Sequence, residues 1–340
     1  MEERKYEYTD DEIEALEYYS SRKKQELAES FKVGYDYYTV NSFLRYVLGN
    51  GMRDNTISGA IPIHIGDVES FKKLLKNIEN LYSLACKYGA THTIPRTLYR
   101  GDNNAPRIMT ESYESMISHD KMWTSDSFLS CSRSKAETQP FVSDGGGIIQ
   151  IETDDKAIEQ QNIPFIDVND LLGPNQFYGD EKEILLTPFL DTKVGYSTYG
   201  KPCDTSTYKE YNIELSSGIH LPDTYEEMQV EYTDKDLAEF LELSHQFNML
   251  GEGKWKSGIP EQLNKLIMKL KSHLQHRMFS IHNEIMPPQE VEEIFSLDDD
   301  LGLFFKDCLA DIGMHDLEDL YKQEKIEKSS HDDNDSLDEK

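Results

Sequence analysis

This sequence lacks the features that mark disulfide-bonded, membrane-spanning and secreted proteins. Its four cysteines, Cys86, Cys131, Cys203 and Cys308, are scattered and form no C-x-x-C pair, which fits a reduced setting better than a disulfide framework. No run approaches the roughly 18 apolar residues that a membrane span needs. The highly charged start cannot supply the apolar core of a secretion signal. We therefore expect a cytoplasmic protein with no membrane span and no cleaved leader.

Basic residues are also in short supply. The chain of 340 residues has 35 Lys and Arg against 64 Asp and Glu, a net charge of -29. Such a balance argues against binding to nucleic-acid phosphates or to anionic membranes, both of which require cationic side chains. Residues 201–340 carry 32 acidic and 14 basic residues, so this part could present an acidic face to a basic partner. Solubility alone explains the same excess equally well.

Sequence signatures of common nucleotide and metal sites are absent too. No G-x-G-x-x-G follows a predicted strand and no G-x-x-x-x-G-K-[ST] occurs, so neither a Rossmann unit nor a P-loop is supported. His273, His276 and His282 share one predicted helix without a Cys or acidic partner at ligand spacing, which indicates a surface helix. Asp298–Asp300 lacks the closing Glu of an EF-hand loop. We expect no bound metal.

The apolar pattern predicts an α+β domain followed by helices. A helix or mobile arm within residues 1–30 precedes predicted helices over Tyr38–Leu48 and Asp67–Tyr88. Five strands bounded by turns follow: Thr97–Arg100, Ser127–Ser132, Gly147–Ile151, Phe165–Val168 and Glu183–Phe189. Helices return after about Lys201, including Asp234–Leu250 and Pro260–Ile285. The predicted segments are an arm over 1–30, the α+β domain over 31–200, a helical region over 201–328 and a disordered acidic tail over 329–340.

Three short motifs on these strands carry the candidate chemistry. They are L-Y-R-G-D at Leu98–Asp102, S-F-L-S-C-S at Ser127–Ser132 and E-K-E at Glu181–Glu183. Because side chains alternate along a strand, Glu181 and Glu183 are expected to point to the same face. An isolated E-x-E is usually surface charge, so the interpretation depends on the order of the three motifs.

In this order the motifs resemble those of the R-S-E class of mono-ADP-ribosyltransferases, which includes bacterial toxins and effectors. The resemblance covers about Phe31 to Tyr199 and includes the opening helix Tyr37–Arg45, with its Asn-x-x-Leu-Arg pattern. It implies the ADP-ribosyltransferase fold, in which N-terminal helices and two packed, mostly antiparallel sheets surround an NAD cleft. The α-helical C-terminal region lies outside the resemblance, and its helices could recognise the target, cover the cleft or bind a regulator.

The resemblance also implies a role for each motif residue toward NAD⁺, the expected substrate. Arg100 would bind the diphosphate and Gly101 would let the main chain approach the nicotinamide carboxamide. Ser130 would orient Glu183, which would grip the ribose 2′-hydroxyl and stabilise the oxocarbenium ion. Phe141 would stack on nicotinamide, although a core position suits this aromatic almost as well.

The acceptor side is likewise implied by the resemblance. In the family, E-x-E accompanies arginine acceptors, so Glu181 would face an acceptor arginine of a target protein. Phe177 and Tyr178 lie in the loop that relatives use to recognise their targets, although ordinary loop positions explain these two residues at least as well. The second motif departs from the usual S-T-S because Cys131 replaces Thr, and we expect this thiol to face away from Ser130.

The sequence therefore predicts an NAD⁺-dependent protein-arginine ADP-ribosyltransferase, with Glu183, Glu181 and Ser130 catalytic and Arg100, Gly101, Ser130, Phe141 and Glu183 binding NAD⁺. Delivery into the host-cell cytoplasm as a bacterial effector is the expectation for its biology. Two alternatives remain at this point. One is an NAD⁺ glycohydrolase on the same fold, and the other is a non-catalytic protein-binding module.

Overall fold

The computed structural model describes eleven segments of the chain, all within one compact unit, Met1–Pro288. The described residues are 6–20, 37–48, 65–102, 123–124, 126–142, 146–161, 163–173, 182–193, 209–219, 231–249 and 261–286. The end of the predicted helical region, after residue 286, and the acidic tail lie outside them. The predicted domain boundaries remain predictions.

In the described part of the chain three helices precede the sheet, and local sequence explains where the first and the third begin. They are α1 (Asp10–Tyr19), α2 (Tyr37–Leu48) and α3 (Val68–Gly89). Thr9 and Glu12 form a reciprocal capping box at the start of α1, which satisfies two backbone N–H groups that the helix leaves unpaired. Asp67 caps α3 by accepting a hydrogen bond from the Ser70 amide at 2.7 Å. These helices confirm the predictions for the same segments.

Eight strands form one sheet in the described part of the chain. They are β1 (Thr97–Asp102), β2 (Trp123–Thr124), β3 (Leu129–Ser132), β4 (Gly147–Thr153), β5 (Phe165–Asp167), β6 (Glu183–Leu186), β7 (Leu190–Lys193) and β8 (Lys209–Ile219). Their order is β2-β7-β8-β4-β1-β3-β6-β5. Only β4 and β8 pair in parallel among them. The two separate sheets that the resemblance implies are not distinguished among these strands.

Short helices and a helical hairpin complete the architecture. The short helices are α4 (Lys135–Thr138), α5 (Asp155–Gln160) and α6 (Val168–Leu172), and a 3₁₀ turn spans Gln139–Phe141. The longer helices are α7 (Asp234–Met249) and α8 (Glu261–Ile285), close to the predicted bounds. No helix among the described residues is long and apolar enough to cross a membrane.

Apolar side chains form two buried clusters, and alternation along β6 sends side chains into both. Leu185 joins the cluster made largely by α1, α2, α3, α7 and α8. Ile184 and Leu186 join the second cluster, together with Leu98 of β1 and Cys131 of β3. Both faces of β6 are therefore covered, which fixes the register of this strand because a shift of one residue would exchange its two faces.

The sequence interpretation was wrong about the segment that forms β8. It placed helices after about Lys201, whereas Lys209–Ile219 is the longest strand of the sheet and pairs with all of β4. Ile213 and Leu215 are buried and Glu214 between them is half-buried, the alternation expected of a strand. The polar and charged residues around these two apolar positions obscured that pattern.

Candidate active site

Arg100, Ser130 and Glu183, one residue from each motif, lie on three adjacent strands of the sheet. The strand order places β3 between β1 and β6. Tyr99 pairs with Ser132 across β1 and β3, and Ser132 pairs with Glu183 across β3 and β6. Arg100 and Ser130, about 30 residues apart in sequence, thereby come into contact, as do Ser130 and Glu183, which are about 50 residues apart.

Ser130 and Glu183 are joined by a direct hydrogen bond. The Ser130 hydroxyl donates to Oε1 of Glu183 at 2.7 Å, a short distance that is typical of a bond to a charged carboxylate. Ser130 is exposed, whereas Cys131 beside it is buried. The two side chains leave opposite faces of β3, as predicted for the Cys131 thiol. The bond holds one carboxylate oxygen of Glu183 in a defined orientation.

Arg100 contacts the same strand through its guanidinium group. Its Nη1 donates to the main-chain carbonyl of Ser130 at 2.9 Å. Its Nε and Nη2 both donate to Oδ2 of Asp102, at 3.3 and 3.1 Å. One residue of β3 thus contacts the guanidinium through its backbone and the Glu183 carboxylate through its side chain. The structure brings Arg100, Ser130 and Glu183 together.

Gly101 packs closely against residues 138–142 at the end of α4, the covering segment, and only glycine fits there. A Cβ atom at this position would overlap the carbonyl oxygen of Thr138 and would lie 2.9 Å from Cγ2 of Val142. Phe141 belongs to this covering segment and its side chain is 57% exposed. That exposure excludes the core position considered for Phe141 and leaves its ring accessible beside β1. Glycine is required here for packing, whatever its role toward a ligand.

A buried polar network connects the N-terminal helices to the start of β3. Asn41 of α2 accepts a hydrogen bond from the Phe128 amide at 3.1 Å and donates to the Tyr19 hydroxyl at 2.9 Å. One turn later, Arg45 donates to the Ser127 hydroxyl at 3.3 Å. The Asn-x-x-Leu-Arg pattern was recognised in the sequence, but no role was predicted for its side chains. Tyr19 was not predicted as a site residue, because nothing around it distinguishes it from other aromatic residues.

The network lies within electrostatic reach of the site. Burial raises the pKa of Tyr19, and the charge of Glu183 raises it further against the opposing effects of Asn41, Arg100 and Arg45. Burial likewise raises the pKa of Cys131 to about 12. Tyr19 and Cys131 therefore stay protonated at neutral pH. A thiol in this state is a poor nucleophile, which argues against a redox role for Cys131.

Lys182 of the E-K-E motif lies outside β6, contrary to the sequence interpretation. The strand begins at Glu183, and Lys182 has a φ of 45°, in the left-handed region that L-residues rarely adopt. Strand alternation therefore cannot be used to place Glu181 and Glu183 on one face. Glu181, Phe177 and Tyr178 lie outside the described residues, so their predicted roles remain predictions.

Lys182 forms an ion pair with a residue of α4. Its Nζ lies 3.5 Å from Oε1 of Glu137 in α4. The other oxygen of Glu137 accepts a hydrogen bond from Ser132 at 2.9 Å. Ser132 also accepts a hydrogen bond from the Ser134 amide at 3.0 Å. The start of β6, the end of β3 and α4 are therefore connected next to Glu183.

The three histidines of α8 differ from the expected surface positions. His282 is only 8% exposed, and its Nδ1 lies 4.0 Å from Sγ of Cys86. His273 is half-buried against Tyr232 and lies 4.0 Å from Glu79. Helix α8 packs on α3, which buries the side that carries His282. No group of three or more metal-binding side chains occurs in the part of the chain that the structure describes.

Comparisons with known proteins add one distant similarity. No protein-family model matches the chain, and no curated protein matches it. Among solved structures, it is similar to the ADP-ribosyltransferase HopU1 of Pseudomonas syringae pv. Tomato DC3000, with 12% identity over 63% of this chain and 100% of that chain. The TM-score is 0.32, too low for any property of HopU1 to be transferred to this protein.

Proposed function

We propose that this protein is a mono-ADP-ribosyltransferase that transfers ADP-ribose from NAD⁺ to an arginine of a target protein and releases nicotinamide. The observation that carries the proposal is the Ser130–Glu183 hydrogen bond of 2.7 Å on the strand that also contacts Arg100. Sequence motifs from three distant segments supply these residues. The agreement of motif order with spatial convergence supports the proposal independently of any relative.

The proposed reaction requires negative charge beside a developing cation. The bond between C1′ of the ribose and the nicotinamide nitrogen breaks, and its electron pair leaves with nicotinamide. The ribose becomes oxocarbenium-like, as in glycoside cleavage. Glu183 stabilises this cation and binds the ribose 2′-hydroxyl, while Ser130 keeps the carboxylate oriented. Arg100 binds the diphosphate through its planar fork of N–H donors.

The second half of the reaction concerns the acceptor. A guanidinium nitrogen of the target arginine attacks C1′ and forms the N-glycosidic bond. Glu181 positions this guanidinium and takes up the proton that the nitrogen loses, which then passes to solvent. Phe141 stacks on nicotinamide, and Phe177 and Tyr178 contact the target protein. The biological setting we propose is that of a bacterial effector acting on host-cell proteins.

Labelled NAD⁺ tests the reaction class directly. The full chain is incubated with NAD⁺ labelled in the adenylate moiety and with a host-cell lysate, and proteins and small molecules are then separated. Label on discrete protein bands, mapped to arginine by mass spectrometry, is the expected result. Release of ADP-ribose without protein labelling would indicate an NAD⁺ glycohydrolase instead. Failure to consume NAD⁺ would leave a non-catalytic binding protein.

Glu183→Gln tests the central residue of the proposal. The amide keeps the shape of the side chain and removes its charge, so NAD⁺ turnover should fall by a factor of at least about 10². The matched control is Glu152→Gln on β4, where the carboxylate accepts a hydrogen bond from Thr97 at 3.0 Å. The control should retain turnover. Full activity in Glu183→Gln, measured as nicotinamide release, would remove Glu183 from the mechanism.

A further inference from the structure

Asp102 holds one edge of the Arg100 guanidinium group. Residues i and i+2 of a strand share a face, and Asp102 follows Arg100 at this spacing on β1. One carboxylate oxygen, Oδ2, accepts hydrogen bonds from both Nε and Nη2 of Arg100. Both side chains are only 16% exposed, so the pair is much less open to solvent than the ion pairs on the protein surface.

The three hydrogen bonds that Arg100 makes with described residues involve only three of its N–H donors. An arginine side chain has five N–H donors in a rigid plane. Nε and one N–H of Nη2 are directed at Asp102, and one N–H of Nη1 is directed at the Ser130 carbonyl. Among the described residues these bonds account for three donors, which leaves one N–H on each of Nη1 and Nη2. Two such donors on neighbouring nitrogens match the oxygens of a phosphate group.

We propose that Asp102 is a positioning residue that orients Arg100 so that its remaining donors receive the diphosphate of NAD⁺. This inference rests on the proposed function for the identity of the ligand. Together with the Ser130 carbonyl, Asp102 fixes a side chain whose free rotation would otherwise have to be lost when the nucleotide binds. It also compensates the guanidinium charge in a partly desolvated position while no nucleotide is present.

Asp102 has a second possible effect, which predicts the opposite result. A carboxylate near Arg100 repels a diphosphate, so its removal would strengthen nucleotide binding if charge alone decided the outcome. Orientation should decide instead, because the hydrogen bonds from a guanidinium to a phosphate are directional and strong. Two substitutions separate these effects. Asp102→Asn removes the charge and keeps one oxygen that can accept both N–H groups, whereas Asp102→Ala removes the charge and the acceptor.

The test measures binding of NAD⁺ to the full chain by isothermal titration calorimetry at fixed ionic strength. Asp102→Asn should weaken binding about three-fold, and Asp102→Ala should weaken it about ten-fold, because charge-assisted hydrogen bonds that orient Arg100 are lost. In turnover assays the KM for NAD⁺ should rise by the same factors while kcat stays within about two-fold. Unchanged or tighter binding in either variant would overturn the proposal.

Controls distinguish this inference from a general loss of charge or of structure. Asp155→Ala removes the carboxylate that pairs with Arg96 on the surface and should leave NAD⁺ binding unchanged. Thermal unfolding identifies variants that do not fold, and Asp102→Asn decides by the sign of its effect if Asp102→Ala is unfolded. If the unsubstituted protein fails to bind NAD⁺, the proposed function falls first. If it binds and both Asp102 variants bind equally well, only the role of Asp102 is wrong.

Discussion

Two glutamates of one motif are expected to have separable roles. Glu183 is fixed by Ser130, whereas Glu181 is separated from β6 by Lys182, whose backbone leaves the strand conformation. We expect Glu181→Ala to abolish transfer to protein while slow NAD⁺ hydrolysis persists, because hydrolysis needs no bound arginine. Parallel assays of protein labelling and nicotinamide release test this expectation. Equal loss of both activities would remove Glu181 from the acceptor side.

The backbone of Lys182 gives a prediction that does not depend on catalysis. At a φ of 45° a Cβ atom costs about 1 kcal/mol, which glycine avoids. Lys182→Gly should therefore be more stable than Lys182→Ala by about 1 kcal/mol in urea unfolding. Both variants lose the same partly exposed contact with Glu137, so this contact cancels in the comparison.

A helix position provides the matched control for Lys182. Lys265 of α8 is also a partly exposed lysine with an acidic partner, Glu261, but its backbone is helical. There the order should reverse, with Lys265→Ala about 1 kcal/mol more stable than Lys265→Gly. If alanine proves the more stable residue at position 182 as well, the left-handed backbone at that position is wrong.

At the scale of secondary structure, the Asn41 network attaches two helices to the strand that carries Ser130. Asn41→Leu would leave the Phe128 amide and the Tyr19 hydroxyl buried without these partners, at a cost of roughly 1–3 kcal/mol for each group. We expect urea unfolding to show a loss of about 2–4 kcal/mol. In the double variant with Tyr19→Phe, the hydroxyl is gone and the combined loss should be smaller than the sum. Additive losses would contradict a direct interaction.

Helices and strands with a clear local pattern of apolar residues were predictable from the sequence. Those that depend on contacts with distant parts of the chain were not. Helix α3 has a long apolar stripe and an Asp cap, and β6 has a run of apolar residues, so both were predicted within a few residues. In β8, Ile213 and Leu215 are buried in the core and are flanked by polar and charged residues. Its strand conformation depends on pairing with β4 and β7, which no local pattern reveals.

In the candidate site, too, some features were predictable from the sequence and others were not. The order of the motifs identified Arg100, Ser130 and Glu183 as residues to be brought together, because each lies on a predicted strand. Three features were not predicted from the sequence. They are the hydrogen bond between Tyr19 and Asn41, the hydrogen bonds from Arg100 to Asp102, and the left-handed backbone of Lys182. Each results from tertiary packing around a residue type that is common in any sequence.

Across the whole molecule, the first and last described helices share one hydrophobic core. The Tyr6 hydroxyl donates to the carbonyl of Ile285 at 2.7 Å, and Arg277 of α8 pairs with Glu79 of α3 at 3.2 Å. Residues of α1, α2, α3, α7 and α8 contribute to the same buried cluster. Unfolding of α8 would expose the apolar side of α3, which also supports the sheet. We therefore expect these helices to unfold together with the sheet.

Acid should destabilise this helical core through His282. Burial lowers the pKa of His282 to about 4, below its value of about 6.5 in an unfolded chain. The folded state keeps the ring neutral, so the stability from this group is fully present above pH 6.5 and is lost as the pH falls toward 4. The loss amounts to about 3 kcal/mol. The half-buried His273, whose pKa burial also lowers, adds a loss of the same sign.

Urea unfolding at pH 7 and at pH 4.5 measures this dependence, and His282→Leu isolates the contribution of one ring. The variant cannot bind the proton, so its free energy of unfolding should change less between the two pH values than that of the unsubstituted protein. Glu12 affects the free energy of unfolding at a lower pH than His282 does. Burial alone would raise its pKa, but hydrogen bonds from Ser83, Thr9 and Lys87 lower it, so its contribution declines only below about pH 4.3. An identical pH dependence in His282→Leu and the unsubstituted protein would mean that His282 is solvated, and that α8 does not pack on α3 as described.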